Sequence, residues 1–223
     1  MPNGLKVAAL STSMKKPDAD LKQFSNFHPI SNLTLVSKII EKAVAEQLND
    51  HVKTFHLDEM YQSAFKVLHS TETALLKVQN DILGAVDDNK SVILLLLNLS
   101  SAFDMVDHLI LLSRLSLRFG IKGNALACFD SYLKSRKQFV QIEDCYSSQR
   151  CLAHDVPQGS VLGPLLYLLY TSLIADIINL HSLQYHLYPD DSQLYISLKL
   201  TALLTSPKLS HLSSYVSKIL TGG

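Results

Sequence analysis

Two neighbouring aspartates, Asp190 and Asp191, lie between two apolar, β-prone stretches at residues 184–187 and 193–198. This pattern predicts a β-hairpin that carries two carboxylates at its tip. Neighbouring carboxylates repel each other and neither can be buried alone, so the arrangement is costly. A bound divalent cation removes that cost, and paired metal ions about 3.5–4 Å apart drive phosphoryl transfer in several enzyme classes. The hairpin is therefore a candidate metal site, and a solvated turn is the alternative.

The residue before the two aspartates conflicts with this geometry. Tight hairpins favour turns whose central residues have φ > 0, whereas the ring of Pro189 fixes φ near −65°. The sequence therefore predicts a candidate metal-binding hairpin whose turn is distorted at Pro189.

The composition indicates a globular protein without strong affinity for nucleic acid. The chain has 223 residues, of which 47% are hydrophobic and 18% charged, enough for a buried core and too apolar for a disordered chain. Lysine plus arginine equal aspartate plus glutamate at 20 each, so the formal net charge is zero. The few arginines are Arg114, Arg118, Arg136 and Arg150. Nucleic-acid enzymes usually carry a basic groove, and neutrality argues against strong nonspecific binding.

The cysteines and the apolar windows indicate an intracellular protein, in the nucleus or cytoplasm. The 3 cysteines lack CxxC spacing, which predicts free thiols in a reducing compartment. The N-terminus lacks the apolar region of a signal peptide. The most apolar long window, residues 161–180, contains Gly163, Pro164 and Asp176, which favours a buried core helix over a membrane span. We therefore expect no signal peptide, no transmembrane segment and no membrane partner.

Apolar periodicity predicts helices packed on a small mixed or antiparallel sheet. The predicted helices cover residues 33–51, 70–86, 106–119 and 123–134, with an apolar helix that follows the loop at 159 and ends near 179. The predicted strands cover 138–142, 151–154 and the two arms of the hairpin, and residues 92–97 form a buried strand or a core helix segment. The first 25 residues are polar and read as a leader or linker, and the chain beyond 200 is weakly helical at best.

Two segments could contribute to the same site as the hairpin. A buried strand that ends near Asn98 would deliver a polar side chain at its edge, which is how a third metal ligand would be supplied. The loop at 155–164 contains two prolines and two glycines directly before a helix. Glycine lets the backbone approach a ligand closely, and a helix N-terminus favours a phosphate or a base-pairing partner. An ordinary strand-to-helix turn is the alternative reading of this loop.

Six segments occur in a fixed order along the chain. They read N-F-H-P-I-S at 26–31, Q-S-A-F-K at 62–66 with H-S-T at 69–71, N-L-S-S-A-F-D at 98–104 with V-D-H at 106–108, S-Y-L at 131–133 with Arg136, V-P-Q-G-S-V-L-G-P at 156–164, and Y-P-D-D at 188–191. Together they resemble the reverse transcriptase domain of LINE-type, non-LTR retrotransposons, whose motifs are N-[YF]-R-P-I-S, Q-S-G-F-R…H-S-T, D-L-S-x-A-F-D-x-V-D-H, S-Y-L-x-x-R, V-P-Q-G-S-V-L-G-P and Y-A-D-D. Chance convergence of all six segments is not credible.

The resemblance implies an α+β fold of the fingers-and-palm type and RNA-templated DNA synthesis. It implies a small antiparallel palm sheet packed by helices, with the thumb missing. The expected organisation is a leader or linker at 1–25, a fingers-like helical part at 26–90, a palm-like part with the polymerase motifs at 91–200, and a weakly structured tail at 201–223. The implied partners are an RNA template, a DNA primer and deoxynucleoside triphosphates, and the implied cofactor is Mg²⁺ or Mn²⁺.

The resemblance also assigns nucleotide-binding roles to individual residues. Phe103 matches the steric gate that rejects a ribose 2′-OH, and Gln158 and Gly159 match the loop that touches the incoming nucleotide and the template. Lys66 falls where the family places a basic residue suited to a triphosphate. A plain core position for Phe103 and a solvated surface position for Lys66 remain the alternatives.

The catalytic and metal-binding assignments are Asp190 and Asp191, with Asn98 as the catalytic position that departs from the family. The family has an aspartate where this chain has Asn98. Two-metal chemistry needs hard anionic oxygens, and an amide oxygen supplies no charge. We expect the loss of this carboxylate to slow the reaction by about 10³-fold or more. Pro189 replaces a small residue and would turn the carboxylate pair out of register, so metal binding is expected to be weakened.

Three further departures from the family motifs affect residues expected to lie near phosphate groups. Asp155 replaces glycine ahead of the Pro-Gln-Gly loop. His28 and Lys66 each replace arginine, and neither side chain can bind phosphate in the bidentate geometry of a guanidinium group. The changes at 28, 66, 98 and 155 are each obtainable by one G-to-A change in a codon. This pattern indicates a decaying genomic copy that is still translated in frame.

The sequence therefore predicts a reverse transcriptase domain by descent and fold whose polymerase activity is crippled or absent, that is, a pseudoenzyme. A residually active polymerase that uses Asn98 as a weak third ligand is one alternative. A non-catalytic RNA-binding or partner-binding remnant that keeps the palm as scaffold is the other.

Overall fold

The fold is taken from a computed structural model, which describes residues 1–14, 16, 18, 20, 22–23, 26–98, 102–152, 154–181, 183–188 and 191–199. The chain divides into two compact units. The first unit comprises Met1–Asp58 and Ser101–Tyr170, and the second comprises Glu59–Ser100 and Thr171–Gly223.

Helices and strands alternate irregularly along the chain, as in an α+β protein. In chain order they are β1 (Val7–Met14), β2 (Phe27–Asn32), α1 (Leu35–Thr54), α2 (Thr71–Asp87), β3 (Lys90–Asn98), α3 (His108–Leu117), α4 (Gly123–Leu133), β4 (Lys137–Ile142), β5 (Cys145–Tyr146), β6 (Arg150–Cys151), α5 (Leu162–Thr171), α6 (Leu173–Leu180), β7 (Gln184–Leu187) and β8 (Asp191–Lys199). A short 3-10 helix, Ala102–Met105, precedes α3.

The first unit is built around a mixed sheet in the order β2-β1-β4-β5, with β6 paired to β4. Strand β1 runs antiparallel to β2 and parallel to β4. Helix α1 begins after Thr34, whose side chain accepts the amide hydrogen of Ser37 and caps the helix. The core of this unit is formed by α1, α3, α4, α5 and the segments between them, with the fully buried side chains Val106, Leu111, Leu115, Leu133, Val156 and Leu166 at its centre.

The second unit holds an antiparallel sheet in the order β3-β8-β7. Helix α2 starts with a capping box in which Ser70 and Thr73 bond each other's backbone amides reciprocally. Alternation along β3 directs Ile93, Leu95 and Leu97 towards a core that they share with α6, β7 and β8. The two other leucines between them, Leu94 and Leu96, are exposed.

Most predicted elements are confirmed, and the strands β1, β2 and β5 were not predicted. The helices predicted at 33–51, 70–86, 106–119 and 123–134 appear as α1, α2, α3 and α4, and the segment at 92–97 is the strand β3. The prediction of a leader at 1–25 did not anticipate β1. The strand predicted at 151–154 is reduced to the two residues of β6, and His154 makes only an isolated bridge to Asp107. The predicted tail at 201–223 lies outside the described residues, and the division into fingers-like and palm-like parts stays a prediction.

The apolar stretch Leu162–Leu180, which includes α5 and α6, is long and apolar enough to cross a membrane by length and composition, with a mean hydropathy of 1.4. Its residues nevertheless occupy central core positions. Leu166 and Tyr167 are buried in the first unit, and Ala175 and Ile178 are buried in the second. These are the positions of a core helix, as the sequence predicts.

Candidate functional site

The predicted hairpin is present in the second unit. Strands β7 and β8 are antiparallel, and Leu187 pairs with Ser192. Beyond this pair, the amide of Tyr188 donates to the carbonyl oxygen of Asp191 at 2.9 Å. Asp191 is exposed, and Pro189 and Asp190 lie outside the described residues. The predicted distortion of the turn by Pro189 therefore stays a prediction.

The sheet register pairs two of the predicted catalytic residues, Asn98 and Asp191, across neighbouring strands. Asn98 is the last residue of β3, and its cross-strand partner is Asp191, the first residue of β8. Directly opposed residues in an antiparallel pair have Cβ atoms about 5 Å apart. The predicted role of position 98 as the source of a further metal ligand stays a prediction.

The Q-S-A-F-K segment extends the same sheet at the free edge of β7. The amide of Leu187 donates to the carbonyl of Tyr61 at 2.8 Å, and the amide of Ser63 donates to the carbonyl of Leu187 at 3.1 Å. Ser63 Oγ also lies 2.9 Å from His186 Nε2, in a buried contact. Burial holds the pKa of His186 below its usual range, and the nearby Lys77 lowers it further. This segment is therefore attached to the strand that leads into the hairpin.

Lys66 lies on this segment, three residues beyond Ser63. Its Nζ donates to the backbone carbonyl of Glu59 at 2.6 Å, within the same part of the chain. The contact shows Lys66 stabilising the local loop, and its predicted role towards a triphosphate stays a prediction.

In the first unit, the Pro-Gln-Gly loop is bonded to the segment that follows the candidate catalytic strand. The amide of Val156 donates to the carbonyl of Phe103 at 3.2 Å, and the amide of Asp155 donates to Val106 at 3.1 Å. The Phe103 ring is half-buried and stacks on Tyr167, with centroids 4.6 Å apart and planes 27° apart. Phe103 is thus held by the core of the unit.

The same loop is bonded to β2, the strand of the N-F-H-P-I-S motif. The amide of Ser31 donates to the carbonyl of Gln158 at 2.7 Å. The Gln158 side chain donates from Nε2 to Asp104 Oδ1 at 3.2 Å. The structure therefore brings Phe103 and Gln158, two of the predicted nucleotide-binding residues, to one loop cluster, together with Gly159.

Gly159 cannot be replaced without strain. Its φ is +104°, and a Cβ at this position would lie 2.9 Å from the carbonyl oxygen of Ser31. Gly163 is similarly confined, because a Cβ there would lie 2.9 Å from the Pro157 carbonyl and closer still to Ser160 Oγ. Both glycines permit close backbone packing within the protein.

Glu41 is a functional residue of this loop that the sequence did not reveal. Its buried carboxylate accepts the amides of Val161 at 2.8 Å and Leu162 at 3.2 Å, and the next amide, of Gly163, donates to Ser160 Oγ at 2.9 Å. The prediction that this helix N-terminus receives a phosphate is therefore wrong for these amides, because side chains of the protein already occupy them. Glu41 and Glu46 both lie on α1, and nothing in the sequence distinguishes Glu41 for this role.

Asp155 is strained and poorly solvated. Its φ is +104°, and its buried Oδ1 has no hydrogen-bond partner. Burial and, to a smaller extent, the Asp104 carboxylate raise the pKa of Asp155 to about 7, while the Arg136 guanidinium opposes this shift. Arg136 is itself buried, with Nη1 donating to the Tyr132 carbonyl at 3.3 Å and with Nε and Nη2 unpaired.

A cavity of about 210 Å³ opens beside this loop. Asp104, Asp155, His154 and Gln158 are among the residues that line it. Two carboxylates in one small cavity repel an anionic ligand, and the Asp104 carboxylate contributes, after the larger effect of burial, to the raised pKa of Asp155.

The donor set of the described residues does not fit a two-metal site. In the described ranges, no group of three His, Cys, Asp or Glu side chains could hold a metal ion. At the hairpin, the described positions offer the Asp191 carboxylate opposite an asparagine. Hard divalent cations require more anionic oxygens than this.

Solved structures with the same fold include yeast telomerases. A telomerase from Candida tropicalis, described as apo and truncated from the C-terminal domain, aligns with a TM-score of 0.66 over 96% of this chain and 47% of that chain, at 12% identity. A telomerase from Candida albicans, in complex with a fragment of telomeric RNA, aligns with a TM-score of 0.67 over 100% of this chain and 41% of that chain, at 12% identity. At this identity the likeness shows the fold, which is the α+β fingers-and-palm fold of reverse transcriptases.

Residues 14–217 match the protein family described as reverse transcriptase (RNA-dependent DNA polymerase). The chain belongs to this family. Its relatives include LINE-type elements, as the motifs predict. A probable RNA-directed DNA polymerase from transposon BS of Drosophila melanogaster is 33% identical over 171 residues, or 77% of this chain and 18% of the relative. The corresponding protein from transposon X-element of Drosophila melanogaster is 32% identical over 156 residues, or 70% of this chain and 17% of the relative. The chain thus spans less than a fifth of the length of these relatives.

Proposed function

We propose that this chain is a retrotransposon reverse transcriptase domain in which two-metal, RNA-directed DNA synthesis is abolished or reduced to a trace. An active form of the domain would join deoxynucleoside triphosphates to a DNA primer on an RNA template. The observation that carries the proposal is the register of Asn98 opposite Asp191. An uncharged amide stands where the hairpin would need a further carboxylate.

The energetic consequence follows from the charge that metal ions require. Replacing the carboxylate at position 98 by an amide removes one of the anions that stabilise paired cations and the phosphoryl group they polarise. A loss of about 4 kcal/mol of transition-state stabilisation corresponds to a 10³-fold slower reaction. Addition of a single carboxylate should recover part of this rate.

Asp155 supports the same conclusion from the other unit. Its carboxylate lines the cavity beside the Pro-Gln-Gly loop together with Asp104. Above its pKa of about 7 it adds a negative charge to this cavity. A nucleotide triphosphate approaching the loop would meet two carboxylates, which is unfavourable for binding.

Primer extension tests the proposal. The full chain is incubated with an RNA template, an annealed DNA primer, nucleotides and either Mg²⁺ or Mn²⁺. We expect no extension by the wild type and partial extension by Asn98→Asp combined with Pro189→Ala, with a further gain from Asp155→Gly. Asn89→Asp, which adds the same charge in the turn before β3, is the matched control and should remain inactive. Robust extension by the wild type would overturn the proposal.

A further inference from the structure

Strand β3 is the outer strand of the sheet in the second unit, and its free edge is long and apolar. The sheet order is β3-β8-β7, and within the described ranges β3 pairs with β8 alone. All nine residues of Lys90–Asn98 pair one to one with β8, so the strand has no bulge. Residues 92–97 contain neither a charge nor a proline. Alternate peptide groups of β3 therefore point away from β8 and offer a row of donors and acceptors to another strand.

The other edges of the described sheets are protected in ways that β3 lacks. The edge strand β2 contains Pro29, which cannot donate a backbone hydrogen bond. Strands β5 and β6 have two residues each, and the free edge of β7 is bonded to Tyr61 and Ser63. Proteins blunt exposed edges with proline, charge or short strands, because a long apolar edge pairs readily with another chain. The edge of β3 is therefore a candidate strand-pairing site.

The surface beside this edge is also apolar. A groove of about 430 Å³ lies between α2 and the face of the sheet opposite the core, and Leu94 and Leu96 of β3 line it. Leu96 is 67% exposed, and Leu75, on the α2 side of the groove, is 55% exposed. A contiguous apolar surface of this kind marks a contact site. A partner that pairs with the edge of β3 would cover this groove as well.

The sequence of β3 is complementary to a second copy of itself. Antiparallel pairing over all nine residues is centred on Leu94, which then lies opposite Leu94 of the other copy. In this register Val92 lies opposite Leu96 on the groove side of the sheet. Ile93 lies opposite Leu95 on the core side. Apolar cross-strand pairs of this kind stabilise a sheet on both of its faces.

Charge and contact area favour the same arrangement. Lys90 is at one end of β3, and Asp191 of β8 is at the other end, opposite Asn98. A two-fold axis at the centre of the strand brings the lysine end of each copy beside the aspartate end of the other, so opposite charges attract at both ends. A strip about 30 Å long and about 20 Å deep, from the strand and the helix layer above it, gives a contact of about 600 Å² per copy. This is at the lower limit for specific protein pairs.

We propose that two copies of this chain pair through β3, edge to edge and antiparallel, so that the two three-stranded sheets join across a two-fold axis. The occupant of both the strand edge and the groove is a second copy of the chain. The α2 helices of the two copies lie on the same face of the joined sheet, and the two grooves close against each other. Because the β7 edge of each sheet is already bonded to the segment at 61–63, assembly through this sheet stops at two copies.

Sedimentation of the full chain from about 1 µM to about 200 µM tests the pairing. We expect a reversible monomer–dimer equilibrium with a dissociation constant in the micromolar range, as the modest contact area implies. Leu94→Lys should weaken dimerisation at least tenfold, because two lysines then lie opposite each other at the axis. Leu180→Lys, at an exposed leucine of α6 in the same unit, is the matched control and should leave it unchanged. A wild type that stays monomeric throughout would overturn the proposal.

A charge swap across the axis tests the register. Leu94→Glu alone should dimerise as poorly as Leu94→Lys. An equimolar mixture of the two variants should form a heterodimer at least tenfold tighter than either variant forms by itself, because lysine and glutamate then lie opposite each other. Circular dichroism checks that both variants keep the wild-type fold. A mixture of folded variants that does not associate would contradict the pairing.

Amide hydrogen exchange on the wild type reports the main-chain contact without any substitution. We expect the outward-pointing amides of residues 90–98 to exchange at least tenfold more slowly at the highest concentration than at the lowest. A dimer without this protection would show a contact elsewhere on the chain. Protection that does not depend on concentration would show that the chain covers its own edge, and assembly beyond two copies would show open-ended pairing. Each of these three results would overturn the proposal.

Discussion

Asn98 and Asp191 are cross-strand partners at the end of the β3–β8 ladder. The register therefore sets an uncharged residue directly opposite an acidic one. Because an amide carries no charge, we expect a cation bound at the hairpin to lack an opposing anion from position 98.

We expect Asn98→Asp to raise the affinity of the full chain for Mg²⁺ or Mn²⁺ by about tenfold or more, since it adds a charge opposite Asp191. Isothermal titration with Mg²⁺, and electron paramagnetic resonance with Mn²⁺, measure the change. Adding Asp191→Asn to this variant should return the affinity to the wild-type level. Equal affinities for Asn98→Asp and the Asn89→Asp control would contradict the role of this register.

We expect Asp155→Gly to stabilise the protein by about 1–3 kcal/mol at pH 8, because it relieves a positive φ and a buried charge. The raised folded-state pKa means that the folded protein binds the proton more tightly than the unfolded chain does. The wild type therefore loses stability as the pH rises from about 4 to the folded pKa of about 7, and the benefit of the substitution grows over that window. Denaturant unfolding at pH 4.5, 6 and 8 measures it. Asp155→Asn, which keeps the Cβ, separates the charge from the strain, and a pH-independent gain would contradict the charge argument.

We expect Gly159→Ala to destabilise the protein by about 1–3 kcal/mol, because the new Cβ meets the Ser31 carbonyl at 2.9 Å in a left-handed backbone conformation. Gly84→Ala is the matched control. Gly84 lies inside α2, with nothing within 4 Å of an added Cβ, so alanine should stabilise there by about 0.5–1 kcal/mol. Thermal unfolding of the two variants should therefore move in opposite directions.

We expect Glu41→Gln to destabilise the protein by about 1.5–3 kcal/mol, because the carboxylate is buried and accepts the amides of Val161 and Leu162. Glu46→Gln, at an exposed position on the same helix, should change stability by less than about 0.5 kcal/mol. Urea unfolding of the two variants gives the comparison. A loss as small as that of the control would show that water replaces Glu41 at the start of α5.

The sequence predicted the elements that local patterns determine. The apolar periodicity of the helices and the apolar, β-prone arms of the hairpin each depend on neighbouring residues, so a local pattern is enough to predict them. The motifs then supplied the fold and the family, because their order along the chain is far more specific than any single segment.

The features that the sequence did not predict depend on pairing over long distances. Strand β1 exists because it lies between β2 and β4, and its own residues are polar enough to resemble a leader. Glu41 acquires its role from Val161, 120 residues further along the chain. The strain at Asp155 likewise depends on its backbone conformation and on Asp104 and Arg136, none of which a local pattern records.

The attachment of Tyr61 and Ser63 to Leu187 uses main-chain atoms. Peptide groups are the same for every amino acid, so random substitution in this stretch leaves the coupling intact unless proline enters or the strands separate. Side chains in this stretch can therefore change while the arrangement of the sheet stays recognisable.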